Sequence, residues 1–190
     1  MHAGFLKHIQ KFVTLTKEEE ATLLDYIQCR QLKNKEHILK AGQVCQAYYF
    51  VAKGCLRMYA TPDSGTDHIV QFGIDNWWIS DYMSFDSQTP SLFNIQALEL
   101  SDLIVIDKKI QEELFKKIPK LERYFRFILQ RAYTATLMRI HFIFTASGEA
   151  RYHHFNNLYP DFVQRIPQYM LASYLGFTPE FLSKIRAKKN

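Results

Sequence analysis

Lys184, Arg186, Lys188 and Lys189 crowd the end of this chain, and cations at that density attract polyanions. Thr178, Pro179, Glu180 and Ser183 stand just before them. Hydroxyl and ammonium groups donate to phosphate oxygens, and a carboxylate accepts from the amino group of cytosine. The set therefore has the chemistry to read a nucleic-acid duplex, with Thr178 and Lys188 on phosphates and Glu180, Ser183 and Lys184 facing base edges. Nothing else in the sequence offers chemistry of comparable focus. No GxSxG, HExxH, P-loop or paired-acid arrangement rises above chance, so neither catalytic residues nor an enzyme activity is expected. His141, His153 and His154 make no ligand pattern with nearby carboxylates or thiols, and no metal or cofactor is expected.

Those residues need a frame. Pro167 to Leu175 reads as a helix with proline at its first position, where the missing N–H costs nothing. Gly176 suits the left-handed conformation that ends a helix. Thr178 then caps a second helix, with Pro179 and Glu180 in its first turn. Tyr169, Met170, Leu171, Leu175, Phe177, Phe181, Leu182 and Ile185 supply an inner face for both. The pattern is a helix-turn-helix with a cationic recognition helix. A helical hairpin with no nucleic-acid role has the same outline.

Charge separates this end from the rest. Of a net +5 over 190 residues, the stretch from Arg151 onward holds six Lys/Arg against two acids, and the remainder is almost neutral. The N-terminus lacks a signal peptide, and no run approaches the ~20 apolar residues a membrane span needs, so a soluble cytoplasmic protein is expected. Cys29, Cys45 and Cys55 are too few and too irregularly spaced for a disulfide framework and are expected to be buried thiols.

Ahead of the basic end, residues 5–14 form a short apolar-faced helix, and Thr16 with Glu19 starts a capping box for a second helix to Ile27. From Cys29 the period shortens. Strands are expected near 29–33, 37–40, 47–53, 55–60, 67–73, 76–79, 93–99 and 102–106, with turns that include Lys53-Gly54 and Pro62-Asp63-Ser64-Gly65. Eight such strands point to a jelly-roll or similar β-roll. A helix over 108–117 ends before Pro119, and a long one runs from Lys120 to Thr145. In it Leu121, Ile128, Ala135 and Phe142 recur every seven residues, Phe125 and Ala132 fill the intermediate positions, and Arg139 breaks that second series. The repeat has the form of a coiled-coil seam, or of a helix lying along its own β-roll. Ser147-Gly148 marks a hinge, and Glu149 to Leu158 reads as a helix that Pro160 stops.

The segment IPQYMLASYLGFTPEFLSKIRAKK, Ile166 to Lys189, closely resembles the helix-turn-helix of the Crp/Fnr family of bacterial regulators. Tyr48 to Gly73, YYFVAKGCLRMYATPDSGTDHIVQFG, is similar to that family's effector domain, a relative of cyclic-nucleotide-binding domains, with Gly54 as its central glycine. The resemblance implies an α+β protein in three parts. Residues 1–119 would be a jelly-roll-like β-roll effector domain, 120–146 a long linker and dimerisation helix, and 147–190 a helical, winged-helix-like DNA-binding domain. It implies a homodimer joined along Leu121, Phe125, Ile128, Ala132, Ala135 and Phe142. Its partners would be a palindromic duplex operator, RNA polymerase and an unidentified small-molecule effector, and no membrane. Many relatives have arginine where this chain has Pro179, so its operator should differ from theirs. Any strands that follow the recognition helix in longer relatives are expected to be missing after Asn190.

In the family's cyclic-nucleotide binders a glycine and a glutamate open a cassette, and an arginine ten residues after the glutamate pairs with the cyclic phosphate. Aligned on Ala97, those positions here are Ser80, Asp81 and Ser91. The arginine is lacking, and no Lys or Arg lies between Arg57 and Lys108. A buried phosphate without a cation is poorly compensated, so cyclic AMP is not expected to bind in the usual way. Trp77, Trp78, Tyr82, Phe85 and Phe93 either line an apolar pocket or fill the core, and Asp81 either meets a ligand or caps a short helix. Trp78, Ser80, Asp81, Tyr82, Ser91 and Phe93 are the candidate effector residues. A second reading is a small-molecule or cyclic-nucleotide sensor that acts through protein contacts and has a degenerate helix-turn-helix.

Overall fold

A computed structural model describes residues 1–63 and 65–188. Ser64 of the expected hairpin turn and Lys189 of the basic tail lie outside them. The chain forms two compact units. The first comprises Met1–Met58 and Gln71–Gln130, and the second comprises Tyr59–Val70 and the chain from Arg131 onward.

The first unit opens with α1 (His2–Gln10) and α2 (Lys17–Tyr26). The capping box of α2 is complete. Thr16 Oγ1 accepts from the Glu19 amide at 3.2 Å, and Glu19 Oε2 accepts from the Thr16 amide at 2.7 Å. Lys120 Nζ, also 2.7 Å from that oxygen, helps hold the Glu19 carboxyl below its ordinary range. The expected 5–14 helix sits earlier in the chain, and Phe12 and Val13 lie beyond its end.

The alternating stretches become β1 (Gln28–Leu32), β2 (His37–Leu39), β3 (Ala47–Lys53), β4 (Cys55–Ala60), β5 (His68–Ile74), β6 (Trp77–Ile79), β7 (Asn94–Ala97) and β8 (Ser101–Asp107). They make two four-stranded sheets, ordered β1-β8-β3-β6 and β2-β7-β4-β5. The β1–β8, β3–β8, β3–β6 and β2–β7 pairs are antiparallel. Alternate side chains of both sheets bury Leu32, Phe50, Leu56, Ile79, Ile95 and Leu103 completely, as expected for a two-layer roll. The turn from β3 to β4 needs Gly54: its φ is +118°, and a Cβ there would lie 2.7 Å from the Ser101 Cα. Two of the three cysteines, Cys45 and Cys55, are buried, but Cys29 is exposed, with its Sγ 3.0 Å from His2 Nε2. The sequence reading of Cys29 fails because β1 shows solvent every residue except Leu32.

After β8 come α4 (Lys108–Lys117) and the long α5 (Lys120–Thr145). Tyr124 of α5 is fully buried, accepts from Trp78 Nε1 at 2.7 Å and lies 2.8 Å from His8 Nδ1. One phenol thus ties α1, β6 and α5 together.

The second unit carries α6 (Gly148–Leu158), α7 (Pro160–Arg165), α8 (Gln168–Leu175) and α9 (Pro179–Ala187). Ser147 caps α6 through the Ala150 amide at 3.2 Å. The expected stop at Pro160 is also a start, because proline is well suited to a first helical position. The additional helix α7 buries Phe162 and Val163. Among the described residues no helix is long and apolar enough to cross a membrane.

Candidate nucleic-acid interface and effector cassette

Helices α8 and α9 meet at Gly176, whose φ of +77° and ψ of +41° are the left-handed values a C-cap requires. Thr178 Oγ1 accepts from the Phe181 amide at 3.3 Å and starts α9, with Pro179 in its first turn. Pro167 stands at the N-cap of α8, one residue earlier than the sequence predicts. Met170, Leu171, Ala172 and Leu175 of α8 and Leu182 and Ile185 of α9 are buried. At ~1.5–3 kcal/mol for each large side chain, these contacts are enough to hold two short helices that would not be stable alone. Two predicted inner-face residues are turned outward instead, Tyr169 at 54% exposure and Phe181 at 42%. Phe181 packs its ring edge against Gly148, where a Cβ would lie 3.1 Å from the ring Cζ.

Every described residue proposed for nucleic-acid contact is exposed: Thr178, Pro179, Glu180, Ser183, Lys184, Arg186 and Lys188. Lys188 Nζ stands 3.7 Å from a Glu149 oxygen, a loose surface pair that leaves the ammonium open to solvent. The Glu180 carboxyl is held below its ordinary value by its own backbone amide and the Thr178 hydroxyl. It therefore remains an acceptor at neutral pH.

The cassette has the opposite character. Asp81 caps the short helix α3 (Tyr82–Ser87), its Oδ1 accepting from the Ser84 amide at 3.2 Å. Its Oδ2 accepts from Ser91 Oγ at 2.6 Å, a short bond of the charge-assisted kind. The residues standing at the family's glutamate and arginine positions are thus bonded to each other, at 3% and 2% exposure. Ser91 Oγ also accepts from the Phe93 amide at 3.0 Å. Ser80 Oγ accepts from the Tyr49 amide at 3.1 Å and donates to the Ile79 carbonyl at 2.6 Å. Of the aromatic candidates, Trp78 and Phe85 belong to the core. Phe85 stacks on Tyr48 with centroids 4.0 Å apart. Tyr82 and Phe93 are half-buried, and burial raises the Tyr82 phenol. Lys108, from the start of α4, sits with Nζ 4.5 Å from the Phe85 ring centre. It ends the cation-free stretch but is engaged with that ring.

The predicted seam divides. Leu121 and Phe125 are 1% and 5% exposed, and Phe125 lies among Tyr48, Trp78, Phe115 and Tyr124. They belong to the protomer's own core, so the alternative of a helix lying along its own roll holds for this end of α5. Ile128 is half-buried, and Ala132 and Ala135 are exposed. Phe142 packs on His154, with ring centres 4.6 Å apart. Leu129, Tyr133, Leu137, Ile140 and Phe144 are exposed large apolar residues. Their three- and four-residue spacing makes one stripe. The seven-residue series begun at Leu121 and Phe125 runs along another face, but the spacing of this stripe is visible in the sequence.

Residues 29–117 match the cyclic nucleotide-binding domain family. Over 185 residues the chain is 26% identical to the fumarate and nitrate reduction regulatory protein of Vibrio cholerae serotype O1, covering 88% of this chain and 72% of that protein. The structure of the global regulator CLP of Xanthomonas campestris superposes with a TM-score of 0.74 at 12% identity, covering 92% of this chain and 91% of that one. FixK2 from Bradyrhizobium japonicum gives 0.74 at 13% identity, covering 85% of this chain and 83% of that one. The two structural likenesses establish the fold. Residues 29–117 thus match the cyclic nucleotide-binding domain family, and the chain as a whole is similar to a bacterial regulatory protein.

Proposed function

We propose that the protein is a homodimeric, sequence-specific transcription regulator that binds duplex DNA through α9. The observation that carries this reading is the division of α9 itself. Leu182 and Ile185 face the protein, while Glu180, Ser183, Lys184 and Arg186 are left to solvent on a helix capped by Thr178. A helix so mounted fits the major groove, with Glu180, Ser183 and Lys184 on base edges and Thr178 and Lys188 on phosphates. The relative in Vibrio cholerae is named as a regulatory protein, and CLP is described as a global regulator; both names agree with this role.

A second copy is the occupant proposed for the apolar stripe of α5. Leu129, Tyr133, Leu137, Ile140 and Phe144 form a face of their own, about a third of a turn round α5 from Ile128 and Ala132. Pairing there would remove a contiguous apolar surface from water and would join two recognition helices by a two-fold axis. The operator would then be palindromic, with half-sites about one helical turn, ~34 Å, apart. RNA polymerase would be a further partner of such a regulator.

The effector unit is proposed not to take cyclic AMP in the usual way. Asp81 and Ser91 satisfy one another, and neither offers the phosphate a cation. CLP is described as responsive to c-di-GMP, so effectors other than cyclic AMP are compatible with this fold. Two experiments test the reading. Selection of bound fragments from a random duplex pool should return one palindrome, bound more weakly as salt rises. Calorimetry with cyclic AMP should show no binding, and micromolar affinity would refute the argument from the missing arginine. A protein that selects no duplex yet binds a small molecule would instead act through protein contacts.

A further inference from the structure

Arg139 is the cation that breaks the apolar series of α5, and its surroundings explain the break. Its Nη1 donates to the Val70 carbonyl at 2.6 Å, its Nη2 to the Ile69 carbonyl at 3.3 Å and its Nε to the Tyr174 carbonyl at 3.1 Å. The guanidinium also lies 4.1 Å from the centre of the Tyr174 ring. One residue away on α8, Ser173 Oγ accepts from the Ile69 amide at 3.0 Å and donates to the Asp67 carbonyl at 3.3 Å. All of these residues belong to the second unit.

The pattern follows from strand chemistry. β5 is the last strand of its sheet, and backbone groups at a sheet edge take partners from outside it. Ser173 and Arg139 supply such partners at Asp67, Ile69 and Val70. Tyr174 lies in the last turn of α8, whose carbonyls lack intrahelical partners and attract a cation. A planar fork of donors serves both demands at once, which a single ammonium cannot do.

We infer that Arg139 and Ser173 are positioning residues for DNA binding, strapping the 59–70 hairpin to α8 and thereby setting how the recognition helix is held. This rests on the DNA-binding function proposed above.

The test uses the full-length chain, with Ser173→Ala, which removes one oxygen, and Arg139→Lys, which keeps the charge but loses the fork. Amide exchange at Ile69 and affinity for a palindromic duplex selected by the unaltered protein are measured together. Both variants should speed Ile69 exchange at least about tenfold and weaken the duplex about tenfold. Exchange at Ile104 in β8 should not change. Ser173→Thr, which keeps the hydroxyl, should restore both values. Unchanged Ile69 exchange would show that there is no strap, and faster exchange with unchanged affinity would show that the strap positions nothing. If the unaltered chain selects no duplex, it is the DNA-binding function that fails, and the exchange measurement alone then decides the strap.

Discussion

Asp81 and Ser91 in the roll and Glu180 and Lys184 on α9 are polar residues of similar types in opposite circumstances. The first pair is turned inward, nearly without exposure, and each group has its partner within the protein. The second pair is turned outward, and Glu180 is held by its own backbone amide and the Thr178 hydroxyl at the helix start. Hydrogen-bonding capacity spent inside a fold contributes to stability and is closed to a ligand. The same capacity left at a surface contributes little to stability and remains available to a partner. In this cassette the two positions aligned with the family's glutamate and arginine are bonded to each other.

The largest effect expected from this contrast is on stability. Asp81→Ala removes the cap of α3 and the closer of two acceptors of the Ser91 hydroxyl, which keeps the Phe93 carbonyl at 3.1 Å, and should cost about 2–3 kcal/mol in denaturant unfolding. Duplex affinity of the folded fraction should stay within a few-fold. A cost near zero would mean that the cassette is not a structural knot, and the contrast would be lost.

Lys184→Ala should behave in reverse. Unfolding should change by no more than about 0.5 kcal/mol, while binding to the selected operator should weaken by about 1–3 kcal/mol. Unchanged affinity would remove Lys184 from the reading surface.

Lys188→Ala is a finer probe of the same surface. A phosphate contact carries no sequence information, so affinity should fall alike for specific and random duplexes. The slope of log affinity against log salt should drop by about one. A sequence-dependent loss would instead place Lys188 at a base edge.

The smallest effect concerns acid. The Glu180 carboxyl is held below its ordinary value in the folded protein. Its contribution to stability is therefore present above that value and is lost as pH falls through the lower folded one. Glu180→Gln should flatten this small acid-side slope in unfolding curves taken between about pH 5 and pH 3. An unaltered slope would mean that its amide and Thr178 contacts do not hold in solution.

Legibility followed range. The box of Thr16 and Glu19, the cap at Thr178 and the left-handed Gly176 each depend on a few neighbouring residues, and all three stand where the sequence puts them. The eight strands could be read because alternation is local, and the turn at Gly54 because glycine punctuates strands; that no side chain fits there beside Ser101 is a matter of packing. The α7 helix was hidden because Pro160 serves two helices at once. Tyr169 and Phe181 have the right spacing for an inner face but miss it, since short helices meet over a narrower contact than their apolar residues could cover.

The order of residues alone was sufficient to specify where helices and strands start and stop and which face of α9 carries its cations, because those matters are settled within a turn or two of chain. It could not assign Leu121 and Phe125 to the core of their own protomer, close Asp81 onto Ser91 or set Arg139 against the edge of β5. Each of these joins residues brought together only by packing, and a side chain's partner across that distance is chosen by which surfaces meet.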